Sequence, residues 1–303
     1  FKQKTAYEIG VRLVGSEMCI RDSPPLVNFW AAILLKNNTP WILWSMDVYP
    51  DAFNAAGLVG ENNFILRYLK RKIKKNSPNY LIALGDSQNS YLKNGFNDSI
   101  QNTFILPCGI HEEKSSKDKP VWYDESKITF AYAGNLGEAH SDRFLKNVIE
   151  NLDPVKHQLI LSVYGSKSSN IIRLIDNYSN VIKVDMLYKS EFSYIDIHLV
   201  SLLPEWTNIC VPSKAVSAIC SKSAVLFNGS TQSDTYRILN QASWFIPYSE
   251  SNDKENEMIS NLLTNLNKAV IHEKRDKAAE LAKELVNNKS ETFKKILDII
   301  ESF

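Results

Sequence analysis

From Trp41 onward the chain alternates short runs rich in β-branched and aromatic residues with longer amphipathic stretches, and this alternation leaves little choice of architecture. Strands joined through helical crossovers pair in parallel, so repeated strand–helix units predict a parallel sheet with helices on its faces. The apolar runs are WILWSMDV (41–48), YLIALG (80–85) and TFILP (103–107), then ITFAYAG, HQLILSVYG, VIKVDML, IHLVSLL, AVLFNG and SWFIPYS. Between them lie segments such as FILRYLKRKIKK, in which Ile65, Leu69 and Ile73 recur at helical spacing. The stretch HEEKSSKDKPVWYDESK is polar, charged and without strand pattern, and is expected to link two domains with the boundary near residue 120. Residues 24–120 then form a first domain with three strand runs, and 121–303 a second with six. The imbalance leads to the expectation that the first domain is truncated. From Asn252 the pattern is helical, with Leu281, Leu285, Ile296 and Ile300 as expected core positions.

The first 23 residues do not continue this pattern, and Glu8, Arg12, Glu17, Arg21 and Asp22 interrupt every stretch that could serve as a secretory signal. The words KQKTAYEI and LVGSEMCIRDS are what a flow-cell adapter and a transposon end of short-read sequencing libraries encode, in one frame. Residues 1–23 are therefore expected to be an adapter-derived artefact, with Pro24 the first natural residue, and the fragment is expected to be inactive or unstable.

Setting that stretch aside removes four basic and three acidic residues from totals of 35 and 34, which leaves 31 of each. A neutral chain gives no electrostatic reason to expect nucleic acid as a partner. Cys108, Cys210 and Cys220 remain, an odd number in apolar segments with no CxxC or Cys/His spacing. That pattern argues for buried thiols in a reducing compartment and against a zinc site or disulfide framework. No apolar run approaches the roughly 20 residues of a membrane-spanning helix.

Three stretches carry chemistry. WSMDVYPDAF, preceded by SPPLVNFWAAILL, sets Asp47 at the carboxyl end of the first strand run, where open α/β sheets present ligand-contacting groups. FAYAGNLGEAHS follows a strand run and precedes a helical pattern, so a glycine-bearing turn aims backbone N–H groups at an anion such as diphosphate. HLVSLLPEWTNICVPSKAVSAICSKSAVLFNG reads as strand, loop, a helix beginning near Pro212, and strand.

Together these words resemble family 4 glycosyltransferases acting on bacterial surface polysaccharides, in the subgroup that carries a PSK word. The resemblance implies an α/β protein of the GT-B type, with two Rossmann-like domains facing a cleft and the second binding a nucleotide-diphosphate sugar. It implies retaining hexosyl transfer to a lipid-linked or growing oligosaccharide acceptor, with no bound metal and no cofactor. It places the work in the cytoplasm, at most peripheral at the inner face of the cytoplasmic membrane. The positions matching the family's phosphate-side loop are Gly134, Asn135 and Gly137; His140 joins them either there or as a loop or helix-cap residue. GSK at Gly165–Lys167 matches a second glycine loop, so Gly165 and Lys167 are further donor-binding candidates.

Pro212, Ser213 and Lys214 match the donor segment, with Lys214 either facing the diphosphate or solvated. A helix end contributes only about 0.3–1 kcal/mol to an anion, up to ~2 when partly buried. Enzymatic rate enhancement demands on the order of 8 kcal/mol or more. A cation such as Lys214, stabilising the leaving diphosphate, is therefore the expected catalytic group, and Asp47 is expected either beside acceptor and sugar or capping a turn. Many members carry two glutamates eight residues apart, the second of which binds ribose. Here those positions are Ile209 and Ser217, with Glu205 out of register, so ribose binding by that route is in doubt and Ser217 stands in as the donor-site position. Arg67, Lys70, Arg71, Lys72, Lys74 and Lys75 form a basic helix, read either as a membrane-surface face or as a solvated one. Two rival classes stay open: a sugar-nucleotide 2-epimerase-like isomerase, and a non-catalytic sugar-nucleotide binding protein.

Overall fold

The computed structural model describes residues 41–96, 100–112 and 118–301. The adapter-like stretch and the SPPLVNFWAAILL word lie outside the described residues. The described part divides into two compact units, the first comprising residues up to Ala83 with Asn89–Thr103, the second Leu84–Gln88 with Phe104 onward.

The chain first runs through β1 (Ile42–Trp44), α1 (Asp51–Ala55), α2 (Phe64–Lys75), β2 (Tyr80–Ala83), α3 (Asp86–Gly95) and β3 (Asn102–Ile105), with sheet order β1-β2-β3; the first residues of α3 and the last of β3 count with the second unit. β1 and β2 are parallel, Ile42 opposite Tyr80 and Trp44 opposite Ile82. Asn63 caps α2, its side chain accepting from the Ile65 N–H at 2.8 Å. The inward side of α2 runs through Leu66, Leu69 and Ile73. Leu66 is buried, Leu69 and Ile73 are half-buried, and Ile65 is 52% exposed. The helix is apolar on more than one side, and Ile65 lies on the outer one.

The second unit contains β4 (Ile128–Asn135), α4 (Asp142–Asn151), β5 (His157–Tyr164), α5 (Ser168–Ile175), β6 (Val181–Lys183), β7 (Ile197–Ser201), α6 (Ser213–Cys220), β8 (Ala224–Gly229), α7 (Asp234–Leu239), β9 (Ser243–Pro247), α8 (Asn252–Asn265) and α9 (Lys268–Glu301). Its six strands lie in the order β6-β5-β4-β7-β8-β9, and every neighbouring pair is parallel. Both faces of this sheet are covered, which is why its strand runs read as continuously apolar. Phe130 and Tyr132 of β4 join Phe144, Leu145, Val148 and Ile149 of α4 and Ile259 and Leu263 of α8 in the main core. Ala131, on the opposite face, packs with Ile160, Leu187, Phe192 and Ile195. Each large side chain withdrawn this fully from water contributes about 1.5–3 kcal/mol.

The division into units falls after Thr103, ahead of the polar segment expected to mark it near residue 120. The reason is local. Residues 109–111 are bound into the second unit: the Gly109 carbonyl accepts from Ser217 Oγ at 3.2 Å, the Ile110 carbonyl from Lys289 Nζ at 3.1 Å, and the His111 ring meets Ser221 Oγ at 3.3 Å. The C-terminal helices form as expected and α9 buries Ile296 as expected, together with Ile271, Ala278 and Ala282. Leu281 and Leu285 are only half-buried and Ile300 is 49% exposed. Two alanines a turn apart let the helix lie close to the unit, and a search for large apolar residues passes over them.

Candidate functional site

Within the second sheet, counted in its own chain order, the strands run 3-2-1-4-5-6. The order reverses between β4 and β7, and open parallel sheets bind ligands in the crevice beyond the carboxyl ends of such a pair. Three loops that carry the expected donor residues emerge at this end: those after β4, β5 and β7.

β4 bends near its end at Gly134, whose φ of +115° a side-chain-bearing residue rarely adopts. Leu136 then inserts fully into the core, and its N–H donates to the Tyr164 carbonyl at 2.7 Å. Ser141, not His140, caps α4, its Oγ accepting from the Phe144 N–H at 3.0 Å. His140 is buried, and its Nδ1 donates to the Ser201 carbonyl at 2.6 Å. It ties the loop to the end of β7.

The loop after β5 packs behind the first. A Cβ on Gly165 would stand 2.0 Å from Asn135 Oδ1, so only glycine permits the approach. Lys167 Nζ donates to the carbonyls of His140 at 2.9 Å and Glu138 at 3.2 Å, and its N–H to Leu136 at 3.1 Å. Ser166 Oγ donates to Glu138 Oε1 at 2.7 Å. Lys167 therefore shapes the glycine loop from behind.

After β7 the chain makes a turn at Pro204–Trp206 and enters α6, with Pro212 at the cap position and Ser213 first in the helix. Lys214 reaches across the reversal point. Its Nζ lies 2.8 Å from the Tyr132 hydroxyl and 2.9 Å from the Asn135 carbonyl, to both of which it donates, and 4.3 Å from the Tyr132 ring centroid. Burial pushes the Tyr132 hydroxyl pKa well up, so this partner stays a neutral phenol. Ser217, one turn further on, faces the Gly109 carbonyl. Ile209 is buried and Glu205 is exposed on the preceding turn.

The structure thus brings Gly134, Asn135, Gly137, His140, Gly165, Lys167, Pro212, Ser213, Lys214 and Ser217 to one end of one sheet. Tyr132 and Gly109 escaped the sequence reading. Glycine in PCGI is a local turn signal for Gly109, and the tyrosine of FAYAG carries no signal that separates it from a core phenylalanine. Among the described residues no group of three or more His, Cys, Asp or Glu side chains gathers as a metal ion would require.

In the first unit Asp47 is exposed just beyond β1. Tyr49 beside it has its pKa raised, first by burial and then by the Asp47 charge. Asp51 opens α1 and binds Lys70 Nζ at 2.6 Å and the Tyr91 hydroxyl. Lys70 is therefore turned inward rather than part of an open basic face. Lys72 is half-buried, 5.6 Å from the Tyr68 ring centroid, whereas Arg67, Arg71, Lys74 and Lys75 are exposed. No helix among the described residues is long and apolar enough to cross a membrane.

A doubly wound parallel sheet preceded by a second sheet-bearing unit defines an α/β protein, and its fold is of the GT-B type. No protein-family model and no curated protein sequence matches the chain. Solved structures do. The pneumococcal O-GlcNAc transferase GtfA in complex with UDP and GlcNAc superimposes with a TM-score of 0.63 at 14% identity, over 86% of this chain and 52% of GtfA. Sucrose-phosphate synthase from Thermosynechococcus elongatus gives 0.67 at 12% identity, over 91% of this chain and 72% of its own. WaaG, a glycosyltransferase involved in lipopolysaccharide biosynthesis, gives 0.61 at 17% identity, over 89% and 80%. The chain spans about half the length of the first of these.

Proposed function

We propose that this chain belongs to a family 4 glycosyltransferase that moves a hexosyl group, with retention and without a bound metal, from a nucleotide-diphosphate sugar to a lipid-linked or growing surface glycan. The observation that carries the reading is the meeting of Lys214 with the carboxyl end of β4, beside two back-to-back glycine loops. Backbone N–H groups after Gly134 and at the start of α6 suit a diphosphate, and Lys214 supplies the full charge that a helix end lacks. As the bond between the sugar and the diphosphate breaks, negative charge grows on the departing oxygen, and a fixed ammonium there lowers the barrier. That GtfA was solved with UDP supports a nucleoside diphosphate as the guest. Asp47 is assigned to the acceptor side.

The site of work is proposed as the inner face of the cytoplasmic membrane. Arg67, Arg71, Lys74 and Lys75 stand on α2 among the exposed Phe64, Ile65 and Tyr68, a composition that suits an anionic lipid surface.

Calorimetric titration of the chain with UDP, GDP and their hexose conjugates tests the donor site. One nucleotide is expected to bind in the presence of EDTA, and Lys214→Ala to weaken it at least tenfold, the ordinary effect of removing a charged partner. Equal affinity for native chain and Lys214→Ala would reject the assignment.

A further inference from the structure

Tyr132 lies in the middle of the main core with 0% exposure, and for packing alone phenylalanine would serve. Its hydroxyl is placed otherwise. The strand bends at Gly134, so the Asn135 carbonyl comes back within 3.0 Å of the hydroxyl three residues earlier, which donates to it. The same hydroxyl accepts from Lys214 Nζ at 2.8 Å, and Lys214 Nζ also donates to the Asn135 carbonyl at 2.9 Å. Three atoms thus close a triangle of hydrogen bonds, with the ammonium 4.3 Å from the face of the same ring. A lysine has a long flexible stem, and ordering it costs rotamer entropy at every binding event unless something fixes it beforehand. Here the fixing element is a strand residue locked by its own core packing.

We propose that Tyr132 is a positioning residue for the diphosphate: its hydroxyl holds the Lys214 ammonium at the end of β4, so that the cation is in place before the nucleotide arrives. This rests on the donor-site reading above. Tyr132 itself does not touch the ligand; it acts through Lys214.

The test is a double-mutant cycle on the full chain, titrated with UDP and GDP: native, Tyr132→Phe, Lys214→Ala and both together. Tyr132→Phe is expected to weaken the nucleotide that binds by about tenfold, as for loss of a hydrogen bond to a charged group, and to have no further effect once Lys214 is alanine. Affinity for the corresponding nucleoside, which lacks phosphate, is expected to be unchanged. Equal losses in both backgrounds would mean that Tyr132 acts through the core, and would overturn the proposal. Lys214→Arg keeps the charge, but its planar fork does not reproduce two convergent bonds from one nitrogen, so it is expected to lose about as much as Tyr132→Phe. Native affinity in Lys214→Arg overturns the proposal even if Tyr132→Phe does not fold. If Lys214→Ala weakens binding and Tyr132→Phe does not, the positioning role alone fails. If the native chain binds neither nucleotide, the donor-site reading falls and the proposal with it.

Discussion

Three glycines of the second unit have positive φ, and they differ in what stands where a side chain would begin. A Cβ on Gly134 (φ +115°) meets nothing within 4 Å, whereas one on Gly109 (φ +97°) would lie 2.4 Å from the Ser213 carbonyl oxygen. Gly134→Ala is expected to cost about 1 kcal/mol of backbone strain. Gly109→Ala adds a collision with backbone at the first turn of α6, a further ~1–3 kcal/mol. Urea unfolding should separate the two variants by at least the smaller of these amounts, and indistinguishable midpoints would contradict the contact. His198 on β7 makes a prediction in pH. Its ring packs 4.7 Å from Phe192 and its Nε2 has no hydrogen-bond partner among the described residues. Burial, and then the charge of Arg275, push its pKa down to about 3. The unfolded chain takes up this proton near pH 6.5, the folded chain only near 3. Stability is therefore complete above about pH 6.5 and falls by up to ~1.4 kcal/mol per pH unit below it. His198→Leu should flatten the loss between about pH 6 and pH 4, and parallel curves for the two proteins would refute it.

Helix α2 is apolar on its outer side as well as its inner one. Its exposed side interleaves Phe64 (73% exposed), Ile65 (52%) and Tyr68 (53%) with Arg67, Arg71, Lys74 and Lys75. If that side lies on lipid, the basic residues contribute about 1 kcal/mol each near an anionic surface, a contribution that salt screens, and the apolar ones a part that salt does not remove. The chain should sediment with phosphatidylserine-containing vesicles and not with pure phosphatidylcholine. Arg67→Glu with Arg71→Glu should abolish binding, and Phe64→Ser with Ile65→Ser should leave only a salt-sensitive remainder; retention by both variants would rule the surface out. All nine apolar runs from Trp41 onward carry strands, because a parallel strand or one under a helix layer is apolar without interruption and needs no partner to be recognised. In α9 Ile296 was legible as core, but the close-packed part of its inner face was not. Ala278 and Ala282 are too small to register as core. The loops of the candidate site were legible as glycine and proline words, but the bond from Lys214 to Tyr132 spans 82 residues and has no local signature.

At the scale of the molecule, two places among the described residues present cations to an anion. One is the end of the second sheet at Lys214. The other is a groove of about 530 Å³ between α4 and α5, lined by Asp142, Arg143, Lys146, Asn170, Arg173 and Asn177 among others. Charge accounting favours the first. Arg143 is already engaged, its guanidinium 3.0 Å from the fully buried Glu255, which also accepts from Asn147 and Asn228, and Asp142 adds a negative charge to the groove. Pulling Arg143 toward a ligand would strand a buried carboxylate, at a cost of about 3–5 kcal/mol. Lys214 donates to the Tyr132 hydroxyl and the Asn135 carbonyl at the end of β4, the end at which parallel sheets present their ligand sites. Hydrogen exchange with and without UDP discriminates between the two places over the entire chain in one experiment. At a hundredfold excess over its Kd a ligand stabilises the state it binds by about 2.7 kcal/mol, enough to slow amides that open locally by roughly a hundredfold. Slowing is expected at residues 134–141, 165–168 and 212–217, while α2 and the far end of α5 exchange as before. Protection centred on Asn170–Asn177 instead would move the nucleotide to the groove and leave the Lys214 triangle as a structural clasp.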